Sequence, residues 1–400
     1  MPFVPKFFLL ECLMYTFLLV LVYIAFISLG LPDSVLGAAW PSMRHSLGVP
    51  EGYAGFITML IYTGTVISSM ATGWLNQRLG AGKVVASSVA LTAVALWGFS
   101  CSSDFVQLCL WALPYGLGGG CVDATLNNYV VLHYKPRHTS FLHCFWGVGT
   151  IISPLVMGAF LACGGAWTQG YQAIAIFQVA LVAVLLLSLP LWRKANEDER
   201  ADALHAEAAS SSPAALLRLP GVKSALTAFF CYTAIESSVG LWATSYMIEA
   251  KGIELITATR LGMLFFLGIM LGRIISGFIS ERLGDVKLVR MGLWLAMFSF
   301  GGLLLPLGSD ILSFASLVCL GIGCGPIFPC MIHYSPSIVG AARSQALVGM
   351  EVAAASAGSI LMPAAFGLIV QHVDISLLPC YGLLFVLVLL LLVRNMMKYG

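Results

Sequence analysis

An all-α integral membrane protein, with twelve transmembrane helices in two pseudo-symmetric six-helix halves, is the fold class this sequence predicts. Three observations predict it. The first is composition. Of 400 residues, 59% are hydrophobic and 10% charged, and the mean hydropathy is +0.93. A soluble protein carries roughly 25% charged residues, so too little polar surface is present to solubilise the chain, and part of the solvent must be lipid. The second is run length. Apolar runs such as Leu13–Leu31, Val84–Ser100, Ala173–Trp192 and Leu377–Val393 are close to the ~20 residues that cross a bilayer as a helix. They lack the ~10-residue alternation of a barrel strand. The third is a repeat. GWLNQRLGAGKVV, Gly73 to Val85, returns as GFISERLGDVKLV, Gly277 to Val289. Gly73/Gly277, Arg78/Arg282, Leu79/Leu283, Gly80/Gly284 and Lys83/Lys287 recur in register at an offset of 204 residues. That is far beyond a solenoid period and marks two copies of a domain-sized unit.

The elements follow in order. The first apolar run is too long for a signal peptide, and no small-residue cleavage site with soluble sequence follows it, so it is the first span, 10–39. Spans at 52–79, 83–103, 105–132, 139–165 and 171–192 complete an N-terminal half, 1–192. A polar stretch with Glu197, Asp198, Glu199, Asp202 and Glu207 reads as a linker, 193–220, with room for a short amphipathic helix on the membrane face. The C-terminal half, 221–400, carries spans at 221–249, 258–282, 287–307, 311–337, 344–371 and 375–396. With the N-terminus inside, sixteen loop lysines and arginines fall inside, Arg78, Lys83, Arg193, Lys194, Arg282, Lys287 and Arg343 among them. Only Arg44, Lys251 and Arg260 fall outside. The positive-inside rule therefore places both termini and the linker in the cytoplasm of a multi-pass protein of the cell membrane.

In the repeated loop, Gly73 and Gly277 are expected to let helices approach closely, and Gly80 and Gly284 to permit a tight reversal. The arginines and lysines anchor the inner face. Other segments echo at nearly the same offset. LPDSVLGAAW pairs with AIESSVGLWA, matching Asp33 to Glu236 and Gly37 to Gly240. GLGGG, Gly116 to Gly120, pairs with GIGCG, Gly321 to Gly325. These glycines, with Pro326, mark close packing and bending in spans four and ten.

Two parallel six-helix halves resemble the major facilitator superfamily over almost the whole chain. The loop resembles that family's G-x-x-x-D-R-x-G-R-K pattern, with Gln77 at the acidic position of the first copy and Glu281 keeping the charge in the second. GGGCVDATLNN in span four is similar to the G-x-x-x-x-E-T-x-x-N of the fucose–proton symporter branch. FLHCFWGVGTIISP, Phe141 to Pro154, resembles that branch's next segment. Within the branch, the chain looks closest to relatives of the sodium-dependent glucose transporter-like group. The resemblance puts Asp123 at the branch's acidic position, Asn127 at its asparagine and Asp33 at the acid of span one. Aspartate in place of glutamate shortens the reach by one methylene.

Ionisable groups inside apolar helices are costly, by about 2.5–3.5 kcal/mol at a helix centre, so each has meaning. Asp123, with Asn127 one turn on and Asn128 beside it, can bind a hydroxylated ligand, exchange a proton or bond a neighbouring helix. Asp33 follows Pro32, which removes a backbone donor; freed carbonyls beside the carboxylate would suit a cation or proton. Glu236 holds the matching place in span seven, as a ligand group or an inter-helix bond. Arg273 is expected to be structural, snorkelling or pairing with an acid to hold one conformation. His143 and His333 are packing residues or proton acceptors. Glu351 lies on a small-residue face of span eleven, with gating and packing both open. Trp40, Trp146, Trp242, Tyr129 and Phe328 could stack on a sugar face, though tryptophans also gather at membrane interfaces. Trp242, six residues after Glu236, falls on another helix face.

Several function classes are set aside. A net charge of +2 calls for no nucleic acid. The eleven cysteines form no C-x-x-C pair and read as packing residues. No G-x-x-x-x-G-K-[ST] occurs, so the glycines make no nucleotide site. The expectation is a transporter rather than an enzyme, without cofactor or metal, acting as a monomer in a lipid bilayer. Asp33 and Asp123 are its ion-coupling candidates. Asn127, Asn128, His143, Trp146, Glu236 and Trp242 are its substrate-binding candidates. The substrate expected is a neutral polyhydroxylated molecule such as a sugar, moved with a proton or sodium ion. A drug or metabolite exporter of the same fold is the alternative. A membrane sensor is the alternative of another class, disfavoured by short termini.

Overall fold

The computed structural model describes residues 6–134, 136–202, 213–305 and 310–396. Within these, the side chains of 6–13, 131–132, 136–137, 139–140, 193–202, 213–214, 281, 310, 335–336, 341–342 and 344–346 lie outside the description. Among the described residues all regular structure is helical. Lipid offers no hydrogen bonds, so each spanning segment must satisfy its own backbone, which a helix does.

The first half supplies α1 (Lys6–Leu47), α2 (Ala54–Leu79), α3 (Ala81–Cys101), α4 (Phe105–His133), α5 (Pro136–Ala162) and α6 (Trp167–Asp202). Within the stretch expected to be a linker lies a four-residue helix, α7 (Pro213–Leu216). The second half has α8 (Val222–Glu249), then α9 (Leu255–Leu261) and α10 (Leu264–Leu283) for span eight. Span nine is α11 (Asp285–Leu304). Span ten divides at Gly325 and Pro326 into α12 (Asp310–Cys324) and α13 (Ile327–Val339). Spans eleven and twelve are α14 (Ala341–His372) and α15 (Leu378–Met396). All twelve predicted spans are therefore helical. The main shifts are at ends: α1 extends eight residues past the expected 39, and α6 runs on into the expected linker.

Eleven of these segments are long and apolar enough to cross a membrane by themselves. The exception is α8. Its Thr233, Glu236, Ser237 and Ser238 dilute its hydropathy, but 18 of its 28 residues are buried in protein. A helix surrounded by other helices has less need of an apolar surface.

The chain forms two compact units. Unit 1 comprises Met1–Asp33, Thr63–Thr150 and Thr168–Ala206; unit 2 comprises Ser34–Tyr62, Ile151–Trp167 and Glu207–Gly400. Unit 1 buries Leu18, Val22 and Phe26 of α1 with Val85, Val89, Val122, Leu126, Leu181 and Leu185.

The repeat is built into the helix crossings. In unit 1, a Cβ on Gly118 of α4 would lie 2.7 Å from the Ser88 carbonyl oxygen of α3, and one on Gly120 would strike the Thr65 carbonyl of α2. In unit 2, a Cβ on Gly323 would lie 2.5 Å from the Gly292 carbonyl oxygen of α11, and one on Gly325 would lie 2.7 Å from the Ile269 carbonyl oxygen of α10. The four contacts correspond pairwise, one half-chain apart. Only glycine permits backbones this close.

The loop motif serves a different end from part of what was expected. Gly80 (φ 82°) and Gly284 (φ 75°) each form the single residue between two helices, a left-handed position that glycine takes without steric cost. A Cβ on Gly73 or Gly277, however, would meet nothing within 4 Å. These two glycines make no close helix approach.

Candidate functional site

On α4, Asp123 and Asn127 lie one turn apart on one face, both half-buried. The Asn127 side-chain amide donates to Asp123 Oδ1 at 2.9 Å and to the Asp123 carbonyl oxygen at 3.1 Å. Asn128, 100° further round the helix, is exposed. One turn before Asp123, a Cβ on Gly119 would touch Leu29 of α1 at 3.7 Å. Asp33 lies one turn beyond Leu29. With α1 and α4 antiparallel, Asp33 and Asp123 sit on opposite sides of that contact, each displaced along the helix by about 6 Å.

The exposed Asp33 has a partner that sequence reading did not assign. Trp146 Nε1 donates to Asp33 Oδ2 at 2.7 Å. The local cause is a glycine crossing of α1 and α5. A Cβ on Gly30 would strike the Trp146 carbonyl, and one on Gly149 the Ile27 carbonyl. The backbones therefore touch, and the indole reaches the carboxylate. The expected opening of α1 at Pro32 is corrected: the helix is continuous there. Proline does remove the donor for the carbonyl four residues back, that of Ser28. The buried Gln178 of α6 replaces it, donating to Ser28 O at 3.0 Å. That carbonyl is satisfied by protein rather than left for a cation.

Unit 2 has its own polar centre. Glu236 of α8 and Arg273 of α10 form an ion pair, Oε1 to Nη2, at 3.5 Å, each side chain 18% exposed. Of the two readings of Arg273, pairing with an acid is the one observed. Nearby, Thr233 donates to the Ala355 carbonyl at 2.6 Å and Ser237 bonds Ser359 at 2.9 Å, which fixes α8 against α14.

Several aromatic candidates are packing residues. Trp242 is fully buried and donates to the Pro363 carbonyl at 3.1 Å, so neither its ring face nor its N–H is offered to a ligand. Trp40 is fully buried and donates to Glu51 O at 2.8 Å. Tyr129 is buried, with its ring on His133 at 4.1 Å. Phe328 packs edge-on against Phe229. His143 is half-buried and edge-on to Phe26. His333 is exposed and bonds Asp285 Oδ2 through Nδ1 at 2.6 Å. Glu351 is fully buried. In the loop motif, Arg78 lies over the Trp74 ring at 4.3 Å, and Lys83, Arg282 and Lys287 are exposed. The Glu281 side chain lies outside the described residues. Among the described residues no cluster of three metal-ligating side chains occurs.

These features can be set beside known proteins. The chain is 23% identical over 387 residues to bypass of stop codon protein 6 of Saccharomyces cerevisiae, covering 89% of this chain and 77% of that one. It is 21% identical over 328 residues to the glucose/mannose transporter GlcP of Bacillus subtilis, covering 79% of each. The crystal structure of a bacterial homologue of the human lysosomal transporter Spinster matches in fold, with a TM-score of 0.73 at 12% identity over 96% of each chain. The model of the Major Facilitator Superfamily matches residues 22–350, from within span one into span eleven. With twelve helical spans among the described residues, a half-chain repeat and that match, the chain belongs to the Major Facilitator Superfamily.

Proposed function

We propose that this protein is a secondary active transporter that moves a neutral polyhydroxylated solute, of hexose size, together with a proton or a sodium ion. The halves 1–192 and 221–400 alternate access to a central site, joined by the cytoplasmic linker 193–220. Asp123 couples the ion, and Asn127 contacts the solute. The observation that carries the reading is the difference between two membrane carboxylates. Glu236 has a guanidinium counter-ion. Asp123 has the Asn127 amide as its partner and no cation among the described residues. A carboxylate without a counter-ion in an apolar helix is neutralised by binding a proton or a metal cation, and a gradient of that ion can then bias the cycle. The sugar class is supported by the likeness to GlcP and by the Asp33–Trp146 pair, an acid beside an indole.

The test is uptake of labelled glucose and mannose into proteoliposomes under a pH or sodium gradient. Wild type should accumulate sugar under one of the gradients. Asp123→Asn keeps size and hydrogen bonding but loses the charge. It should abolish accumulation while leaving sugar exchange across the membrane measurable. Full accumulation by Asp123→Asn, or no uptake of neutral sugars by wild type under either gradient, would overturn the reading.

A further inference from the structure

Unit 1 carries a groove on its outer surface, between α3, the start of α4 and α6, with a space of about 950 Å³ including its open mouth. Val94, Trp97 and Val179 line it and are exposed, as apolar side chains of a spanning helix are toward lipid. A notch at Gly98 shapes it: a Cβ there would strike the Trp111 ring, so glycine lets that indole lie against α3. The mouth is at the helix ends, where Cys101 closes α3 and Gln107 stands in the first turn of α4. Trp97 and Trp111 follow at ~6 and ~9 Å along their helices, Ala93 at ~12 Å and Val179 at ~18 Å from the start of α6. Half of a hydrocarbon core of ~30 Å is ~15 Å, so the groove has the length of one leaflet. Its nitrogen donors gather toward the mouth. Gln107 Oε1 accepts the Ser103 backbone N–H at 3.0 Å, which leaves the side-chain NH2 to donate. Among the described residues, neither that NH2 nor the indole N–H of Trp97 or Trp111 has an acceptor. Asp104 is the charge beside the mouth. It is exposed and caps α4, accepting the Gln107 backbone N–H at 2.9 Å. No lysine or arginine occurs in 86–111 or 164–184.

We propose that this groove is a binding site for one phospholipid with a zwitterionic, amine-bearing headgroup. The phosphodiester and ester oxygens of such a lipid are acceptors only, and they meet the donors of Gln107, Trp97 and Trp111. The headgroup ammonium lies by the Asp104 carboxylate. An acyl chain runs past the Gly98 notch along Val94, Ala93 and Val179. An anionic headgroup would find no cation there and would be repelled by Asp104. A sterol brings one hydroxyl to three donors and leaves Asp104 without a counter-ion. Tryptophans at a membrane interface accept any lipid, so selectivity among headgroups is what separates a site from a belt. The inference does not rest on the solute or the coupled ion.

Native mass spectrometry of the full chain in detergent, titrated separately with phosphatidylethanolamine, phosphatidylglycerol and cholesterol, tests it. Wild type should bind one phosphatidylethanolamine more tightly than either of the others. The double variant Trp97→Phe/Gln107→Leu removes two donors while keeping a ring and the bulk. It should weaken phosphatidylethanolamine binding about tenfold, as the loss of two hydrogen bonds does. Asp104→Asn still caps the helix, so binding should persist while the preference over phosphatidylglycerol disappears. Equal affinity of wild type and the double variant for phosphatidylethanolamine would mean a lipid belt without a site, and overturns the proposal. Tighter binding of phosphatidylglycerol or cholesterol by wild type overturns it too. If the double variant aggregates, Asp104→Asn decides, and a headgroup preference that survives that substitution overturns the site.

Discussion

Asn127 uses its amide nitrogen on Asp123 twice, once on the carboxylate and once on the carbonyl. That leaves the amide oxygen as an acceptor for a solute hydroxyl. An amide does not titrate, so its loss should weaken binding without removing ion dependence. Asn127→Ala is expected to raise the KM for the solute about tenfold, equivalent to about 1.4 kcal/mol for one hydrogen bond. Accumulation should still depend on the gradient. Unchanged solute affinity with lost coupling, measured by initial-rate uptake, would reverse the roles given to these two residues. The Ser28–Gln178 bond shows the same economy at a proline: a missing main-chain donor inside the membrane is replaced by a buried side chain from another helix.

Helices in this chain meet through glycine where the repeat is conserved between halves. Gly321 of α12 sits where a Cβ would lie 2.7 Å from the Ile269 amide nitrogen and 2.8 Å from Cα of Gly268. Backbone cannot swing aside as a side-chain tip can. Gly321→Ala should therefore destabilise the protein by about 1–3 kcal/mol, as overpacking does, and lower the melting temperature in detergent. Gly73→Ala is the comparison. Its Cβ meets nothing within 4 Å, so thermal stability should hold or rise slightly, since alanine is the better helix former. Equal losses for the two variants would show that glycine matters here for backbone conformation and not for helix contact.

At the scale of the whole molecule, orientation depends on where lysine and arginine fall. Cysteines introduced in the 203–212 segment should be labelled from the cytoplasmic side only. Labelling by an impermeant reagent from outside intact cells would invert the topology. Span number, span order and the half-chain repeat were legible in the sequence, because each is a property of composition along the chain. Twenty apolar residues in lipid must form a helix whatever their neighbours, and a glycine between two helices must turn. Asp123 and Asn127 were legible as a pair for the same reason, being one turn apart on one helix. Partners on different helices were not. Trp146 meets Asp33 across 113 residues, Gln178 meets Ser28 across 150, and Arg44 meets Glu249 across 205. Which residues face each other there depends on the rotation and crossing of packed helices, fixed by backbone contacts such as Gly30 on Trp146. The same crossings buried Trp242 and left Gly73 without a neighbour. The sequence by itself determined what each segment is; only the tertiary structure decided what each polar side chain touches, because a periodicity of 3.6 residues defines faces on one helix and not the helix opposite.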